Sequence, residues 1–250
     1  MPTPFTHLLV AQRLLVDSAV PDSHRGLIQS HRGAFLLGSV AVDAQAICGM
    51  KREETHFFYF DRPQEDDAWR VMLAQVPALH DARRDPDWRA FLAGYVTHLS
   101  MDEIWSQDMT APHFVARPWA AQMQRFLMLH VLLIVLDERD RSLLDESLMA
   151  SLRDAQPRRW LPFLGDRVLR DWRDIITRQV TSGGVSETLD VYGSRLDKSP
   201  AELRAILDSP ARMQADLWDH VAPPLVAEVE AHMLDHARAQ LLAYLAASAP

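Results

Sequence analysis

The chain has 250 residues, of which 48% are hydrophobic, and its formal net charge of −8 gives an isoelectric point near 5.7. This hydrophobic fraction is enough for a sizeable core, whereas the acidic balance excludes a broad basic surface and argues against a nucleic-acid partner. The single cysteine, Cys48, excludes an internal disulfide and a thiolate zinc cluster, so a metal site here must use histidine and carboxylate ligands.

Apolar residues recur at helical spacing along the whole chain, and strand-like alternation is hard to find, which predicts an all-α fold. Prolines and a polar, glycine-containing stretch separate the predicted helices. These helices span residues 6–18, 34–48, 64–76, 87–107, 117–137, 142–154, 164–180, 199–208 and 210–247.

The polar stretch 181–198 is the best candidate boundary within the chain. We predict a single domain over residues 1–250, with a C-terminal helical extension from about residue 185 as the alternative. The N-terminus lacks the basic flank and cleavage site of a secretory signal. The most apolar stretch, 126–137, is shorter than the roughly 20 residues that a membrane span needs. The sequence therefore predicts a cytoplasmic protein without a transmembrane segment.

Ligand-type side chains interrupt four apolar segments. His98 and Asp102 are four residues apart, so they share one face of a predicted helix. Burying an imidazole beside a carboxylate is unfavourable unless both are compensated, and a divalent metal compensates both. With Asp43 and His56 they suffice for one zinc ion that keeps a position for water, and His7 would extend the site to a second metal. The alternative for each residue alone is a buried polar group with an ordinary hydrogen bond.

The segments TPFTHLL, FLLGSVAVDAQ, THFF and AGYVTHLSMDEIW, in that order, resemble the zinc-dependent phospholipase C family. That family shares its helical fold with the single-strand-specific zinc nucleases, so the resemblance implies a multi-helix bundle of this type. The resemblance covers about residues 3–140. It implies a cluster of one to three zinc ions, with ligands at the matching positions His7, Asp43, His56, His98 and Asp102.

The chain departs from the family pattern in its first half. Val42 stands where the family usually has a proline before the aspartate, which changes the backbone but removes no ligand. Secreted phospholipases of the family bind one metal through the amine of a processed N-terminal tryptophan, whereas this chain begins with Met1. The resemblance therefore leaves a second zinc at His7 open.

A third metal in the family uses a His-x-x-x-Glu pair on a later helix. Here His130 has no glutamate four residues on, and Asp137, two turns away on the same face, is the expected replacement. Asp108 or His113 would complete this site. A buried and hydrogen-bonded His130 is the alternative.

The resemblance and the donor set predict a metal-dependent hydrolase of phosphate esters, a phospholipase C-like phosphodiesterase that uses zinc-activated water. His56, His98 and Asp102 are expected to bind the principal metal. Asp43 either ligates or, as the catalytic base, takes the proton from the attacking water. A lipid head-group diester, a nucleotide and a small phosphodiester all stay open as substrates.

The competing interpretation is a non-catalytic helical protein that keeps a structural metal site, or a buried polar network, and works as a binding module. An exposed apolar patch on the last helix would support it and would equally serve as a homodimer contact. The residues of this patch would be Leu241, Leu242, Tyr244 and Leu245.

Two further histidine motifs have ordinary explanations. His80-Asp81 precedes a polar run and is expected in a loop or at a helix end, and His232 and His236 are expected on an exposed helix face with Glu228. The sequence contains no G-x-S-x-G motif and no glycine-rich phosphate loop, which argues against a serine hydrolase and a P-loop nucleotide hydrolase.

Overall fold

The computed structural model describes residues 1–59, 65–80, 85–181 and 184–247. Over these residues the regular structure is helical and no strand occurs, which confirms the all-α prediction. None of the described helices is long and apolar enough to cross a lipid bilayer. The α-helices are α1 (Pro4–Val16), α2 (Asp22–Ser30), α3 (Arg32–Ala41), α4 (Glu53–His56), α5 (Ala68–Gln75), α6 (Pro86–Ile104), α7 (Gln122–Arg141), α8 (Glu146–Asp154), α9 (Asp166–Val180), α10 (Thr188–Leu196), α11 (Pro200–Leu207), α12 (Pro210–Met213) and α13 (Pro223–Ala247). The remaining helical segments are the 3₁₀-helices Val42–Ile47 and Pro77–His80 and the π-helices Trp105–Ala116 and Gln214–Trp218.

Helix α6 lies at the centre of the fold. It begins where the side chain of Asp85 accepts a hydrogen bond from the backbone N–H of Trp88, and Pro86 occupies the first helical position. Every residue in the range 90–105 is buried. A helix buried on all sides needs neighbours all round, and α3 and α13 supply the largest contacts. Polar side chains on α6 are therefore held inside the protein.

Helices α3 and α6 cross at a pair of glycines. A Cβ atom on Gly38 would clash with the carbonyl oxygen of Phe91, and one on Gly94 would clash with the carbonyl oxygen of Phe35. The two backbones therefore approach more closely than any larger residue allows. This close approach brings the carbonyl end of α3 next to the C-terminal half of α6.

The C-terminal residues pack onto the same core. The predicted helix 210–247 is wrong as a single element, because a break precedes α13 at Pro223 and Pro224, where consecutive prolines cannot continue a helix. An exposed apolar patch on this helix, which would have supported the binding-module interpretation, is not found at three of its four residues. Leu241, Tyr244 and Leu245 are at most 2% exposed, because α13 packs against α6 and the Tyr244 ring contacts Trp69.

Four further differences from the sequence prediction concern whole helices or their ends. Helix α2 was not predicted, because it is polar and buries only Ile28. Helix α10 lies inside the stretch 181–198, which was predicted as a boundary within the chain. Helix α7 begins at Gln122 rather than at residue 117, and the helix predicted for residues 34–48 changes to a 3₁₀-helix after Ala41.

Candidate metal centre

Five predicted ligand residues meet in one place, from four separate parts of the chain. We call them the His/Asp cluster. His7 lies on α1, Asp43 on the 3₁₀-helix that follows α3, His56 at the end of α4, and His98 and Asp102 on α6.

Asp102 is the hub of the His/Asp cluster. Its Oδ1 atom lies 3.4 Å from Nε2 of His7. Its Oδ2 atom lies 3.2 Å from Nε2 of His56 and 3.5 Å from Nε2 of His98. The two oxygens of Asp102 thus face different histidines. A carboxylate in this arrangement can bridge two metal ions.

Two of the histidines are oriented by backbone carbonyls. Nδ1 of His98 lies 2.8 Å from the carbonyl oxygen of Ser39, and Nδ1 of His56 lies 3.1 Å from that of Arg52. A carbonyl only accepts, so each Nδ1 carries the proton and each Nε2 keeps its lone pair. Both Nε2 atoms are buried and have no hydrogen-bond partner. This is how histidine ligands are held for a metal.

His7 is the most unusual member. It is completely buried, and neither of its ring nitrogens has a hydrogen-bond partner. Its ring stacks on that of His98, with 3.6 Å between the centroids and 9° between the planes. Buried polar atoms without partners are unfavourable, and the unprotonated ring nitrogen of His7 is free to ligate a metal ion.

The two carboxylates of the cluster are ionised. Burial by itself raises the pKa of Asp43, but the neighbouring His56 and His98 outweigh it and bring the pKa down to about 2. Burial opposes ionisation of Asp102 in the same way, and the surrounding histidines hold its pKa well below the ordinary range. The cluster therefore contributes two negative charges in a buried setting.

The histidines divide into two classes. Burial lowers the pKa of His7 to about 4, so this ring is neutral at pH 7. Burial also disfavours charge on His98, but Asp102 outweighs burial and raises the pKa of His98. The carboxylate of Asp102 thus favours positive charge beside it, which a divalent cation would supply.

The ligand-type atoms fall into two overlapping groups. The first group consists of His7, His98 and Asp102. The second group consists of Asp43, His56 and His98. Within each group, the ligand-type atoms lie within 4.8 Å of one another. Because Nδ1 of His98 is already bound to Ser39, its Nε2 can serve only one ion. The donor types are those of a site for a divalent metal, and the partnerless nitrogens fit such an ion.

A cavity of about 960 Å³ adjoins the cluster. Asp43 and His56 line it, whereas His98 and Asp102 lie behind them in the protein. Arg52 lines it too, with its Nη2 atom 3.6 Å from Oδ2 of Asp102. The guanidinium is held in place by the carbonyl oxygen of Phe58 at 3.2 Å and by the ring of that residue. The sequence analysis missed Arg52, although it lies one turn before His56.

The predicted third site is not among the groups of ligand-type atoms in the described part of the chain. Neither His130 nor Asp137 belongs to a described group of three ligand-type atoms within 4.8 Å. Nδ1 of His130 instead donates to the carbonyl oxygen of Phe126 at 2.8 Å, which is the alternative interpretation. Asp137 accepts a hydrogen bond from Thr188 of α10, an element absent from the sequence prediction.

Of the two residues proposed to complete that site, Asp108 has another partner, whereas Nδ1 of His113 has no hydrogen-bond partner. Asp108 binds Nδ1 of His232 at 2.6 Å, and His113 lies on the π-helix with a carbonyl that binds Trp119 at 2.7 Å. His232 is 53% exposed, as predicted for this face of the last helix. Asp81 lies outside the described residues.

A third group of ligand-type atoms was not predicted. It consists of Asp67, Glu103 and His236. Glu103 accepts a hydrogen bond from the backbone N–H of Ala68, so it holds the N-terminus of α5, and its Oε2 atom lies 3.8 Å from Nε2 of His236. Glu103 follows Asp102 on α6 and lies on the face of α6 that packs against α13.

No protein-family model, curated protein or solved structure matches this chain. The resemblance to zinc-dependent phospholipase C therefore stays a prediction from the sequence, and the geometry of the site carries the functional argument.

Proposed function

We propose that this protein is a metal-dependent hydrolase of phosphate esters and that zinc, held by the His/Asp cluster, is its metal. The single observation that supports this most is the set of buried, partnerless Nε2 atoms of His7, His56 and His98 around the carboxylate of Asp102.

His56, His98 and Asp102 would hold the principal ion, because the Nε2 atoms of both histidines lie next to Oδ2 of Asp102. Oδ1 of Asp102 faces His7, so this carboxylate would bridge toward a second ion. Asp43 lies at the cavity wall, 3.5 Å from Nε2 of His56. From there it either completes the coordination or accepts the proton of the attacking water, and its low pKa favours the ligand role.

A bound zinc ion supplies an activated water at neutral pH and polarises a phosphoryl oxygen. The guanidinium of Arg52 faces the same cavity and suits the planar, bidentate binding of phosphate oxygens. It would hold the ester and offset the negative charge that grows on it during hydrolysis.

The cavity favours catalysis over a purely structural metal. A structural zinc site is closed by four protein ligands, whereas a catalytic site keeps a position for water and substrate. Asp43 and His56 line a cavity large enough for an organic substrate. The cluster is thus buried on one side and reaches open space on the other.

The test is elemental analysis combined with hydrolysis of bis-p-nitrophenyl phosphate. Protein purified without a chelator or a histidine tag should carry at least one equivalent of zinc and hydrolyse the ester. The His98→Ala variant should lose both. His232→Ala is the matched control, because His232 is exposed and lies outside the His/Asp cluster.

Two results would contradict the proposal. A stably folded protein that binds no zinc would remove the metal. Zinc bound by the wild-type chain and lost in His98→Ala, without hydrolysis of phosphate diesters or monoesters, would leave the structural-metal interpretation in its place.

A further inference from the structure

One face of α7 forms a wall of the 960 Å³ cavity. Phe126, His130, Leu133 and Asp137 follow one another at helical spacing, and all of them line the cavity. From the first to the last they extend roughly 16 Å along the helix. The wall is aromatic at one end, where the rings of Phe126 and His130 are 4.3 Å apart and that of Tyr192 is 5.1 Å from His130. It ends in a carboxylate.

The carboxylate of Asp137 is buried, with 1% of the residue exposed. Its Oδ2 atom accepts a hydrogen bond from Thr188, and the hydroxyl of Ser186 lies 3.5 Å away. Its Oδ1 atom is buried as well and has no hydrogen-bond partner. A buried carboxylate oxygen without a partner is unfavourable unless a ligand satisfies it.

No described cation forms an ion pair with Asp137. The neighbouring acidic residues add to its negative charge, since Glu138 and Asp140 both disfavour ionisation of Asp137. They have cations of their own, Arg204 for Glu138 and Arg139 for Asp140. Arg195 also lines the cavity, and its guanidinium lies over the ring of Tyr192, 5.5 Å from the centroid.

We propose that Asp137 marks a binding subsite for an organic ammonium ion that carries an apolar chain. The ammonium group would donate to the partnerless oxygen of Asp137 and neutralise its charge, which a neutral hydroxyl cannot do. The chain would lie on Leu133 and the aromatic residues of the α7 wall. This subsite is distinct from the His/Asp cluster and does not depend on a bound metal.

The test compares n-octylammonium with n-octanol, which share the chain and differ in the charged group. Isothermal titration calorimetry on chelator-treated wild-type protein should show at least about tenfold tighter binding of n-octylammonium. In Asp137→Asn, the affinity for n-octylammonium should fall to that for n-octanol. Equal affinities of the wild-type chain for the two compounds would overturn the proposal, and this comparison needs no variant.

Glu138→Gln is the matched control. It removes the same charge one residue away, at an exposed carboxylate that pairs with Arg204. It should change the affinity for n-octylammonium by less than about twofold. An equal loss in Glu138→Gln and Asp137→Asn would show a general effect of net charge and would also overturn the subsite. Because the chelator removes metal throughout, these outcomes are independent of the metal-centre proposal.

Discussion

The Asp137→Asn variant is expected to gain stability over the wild-type chain as the pH rises from about 4 to about 7.5. Burial raises the pKa of Asp137 from its ordinary value of 3.8 to about 6, although the hydrogen bond that Thr188 donates opposes the rise. The folded state therefore holds this proton more tightly than the unfolded chain does. Stability that comes from the protonated group is lost as the pH rises through the folded pKa of about 6, and the loss is nearly complete about one pH unit higher.

The magnitude follows from the size of the pKa change. About two pKa units correspond to about 3 kcal/mol of unfolding free energy, which is an upper estimate for one group. The ionised carboxylates of the His/Asp cluster act in a different window. Their folded pKa values are depressed, so their contribution is present above pH 3.8 and is lost only below it.

Urea denaturation at the two pH values, with chelator present, measures the difference. The unfolding free energy of Asp137→Asn minus that of the wild-type chain should increase by up to about 3 kcal/mol between about pH 4 and about pH 7.5. Glu138→Gln, at an exposed and paired carboxylate, should show almost no such increase. If the difference between Asp137→Asn and the wild-type chain is the same at both pH values, the burial argument for Asp137 is wrong.

Three further predictions concern the metal centre and its support. Zinc at a hundred times its dissociation constant should stabilise the chelator-treated wild-type protein by about 2.7 kcal/mol. Differential scanning calorimetry should show this as a rise in Tm of roughly 5–11 °C. The Tm of His98→Ala should not change. An unchanged wild-type Tm would contradict metal binding. Gly94→Ala should lower the unfolding free energy by roughly 1–3 kcal/mol or more, because its Cβ would strike the carbonyl oxygen of Phe35. Gly26→Ala, where the same atom meets open space, should not destabilise, and equal effects would refute the close-crossing argument. Arg52→Gln should lower kcat/KM for bis-p-nitrophenyl phosphate about a hundredfold while zinc content stays constant, and loss of zinc instead would make Arg52 a structural residue.

The His/Asp cluster was predictable from the sequence because each member breaks an apolar pattern. His98 and Asp102 stand one turn apart on a helix that is buried all round, so their side chains had to meet other buried groups. The groups that orient the histidines were not predictable. The carbonyl oxygens of Ser39 and Arg52 belong to the backbone, and every residue carries the same atom.

Helix boundaries were harder to predict where the pattern of apolar residues is weak. Helix α2 is polar along most of its length, and α10 buries only Tyr192 and Gly193. Such helices depend on contacts with distant elements rather than on their own sequence. The π-helix Trp105–Ala116 contains Pro112, which signals a break in a regular α-helix.

The error at Asp137 follows from the missing helix. Helical spacing correctly placed Asp137 on the same face of α7 as His130, but spacing says nothing about the element opposite. The stretch 181–198 was interpreted as a boundary, and the family resemblance, with its third metal on a later helix, paired Asp137 with His130. The structure places α10 there instead, so the hydroxyls of Thr188 and Ser186 approach one oxygen of Asp137. Because hydroxyls carry no positive charge, they cannot replace a cation beside Asp137, which is why we propose that an organic ammonium ion binds there.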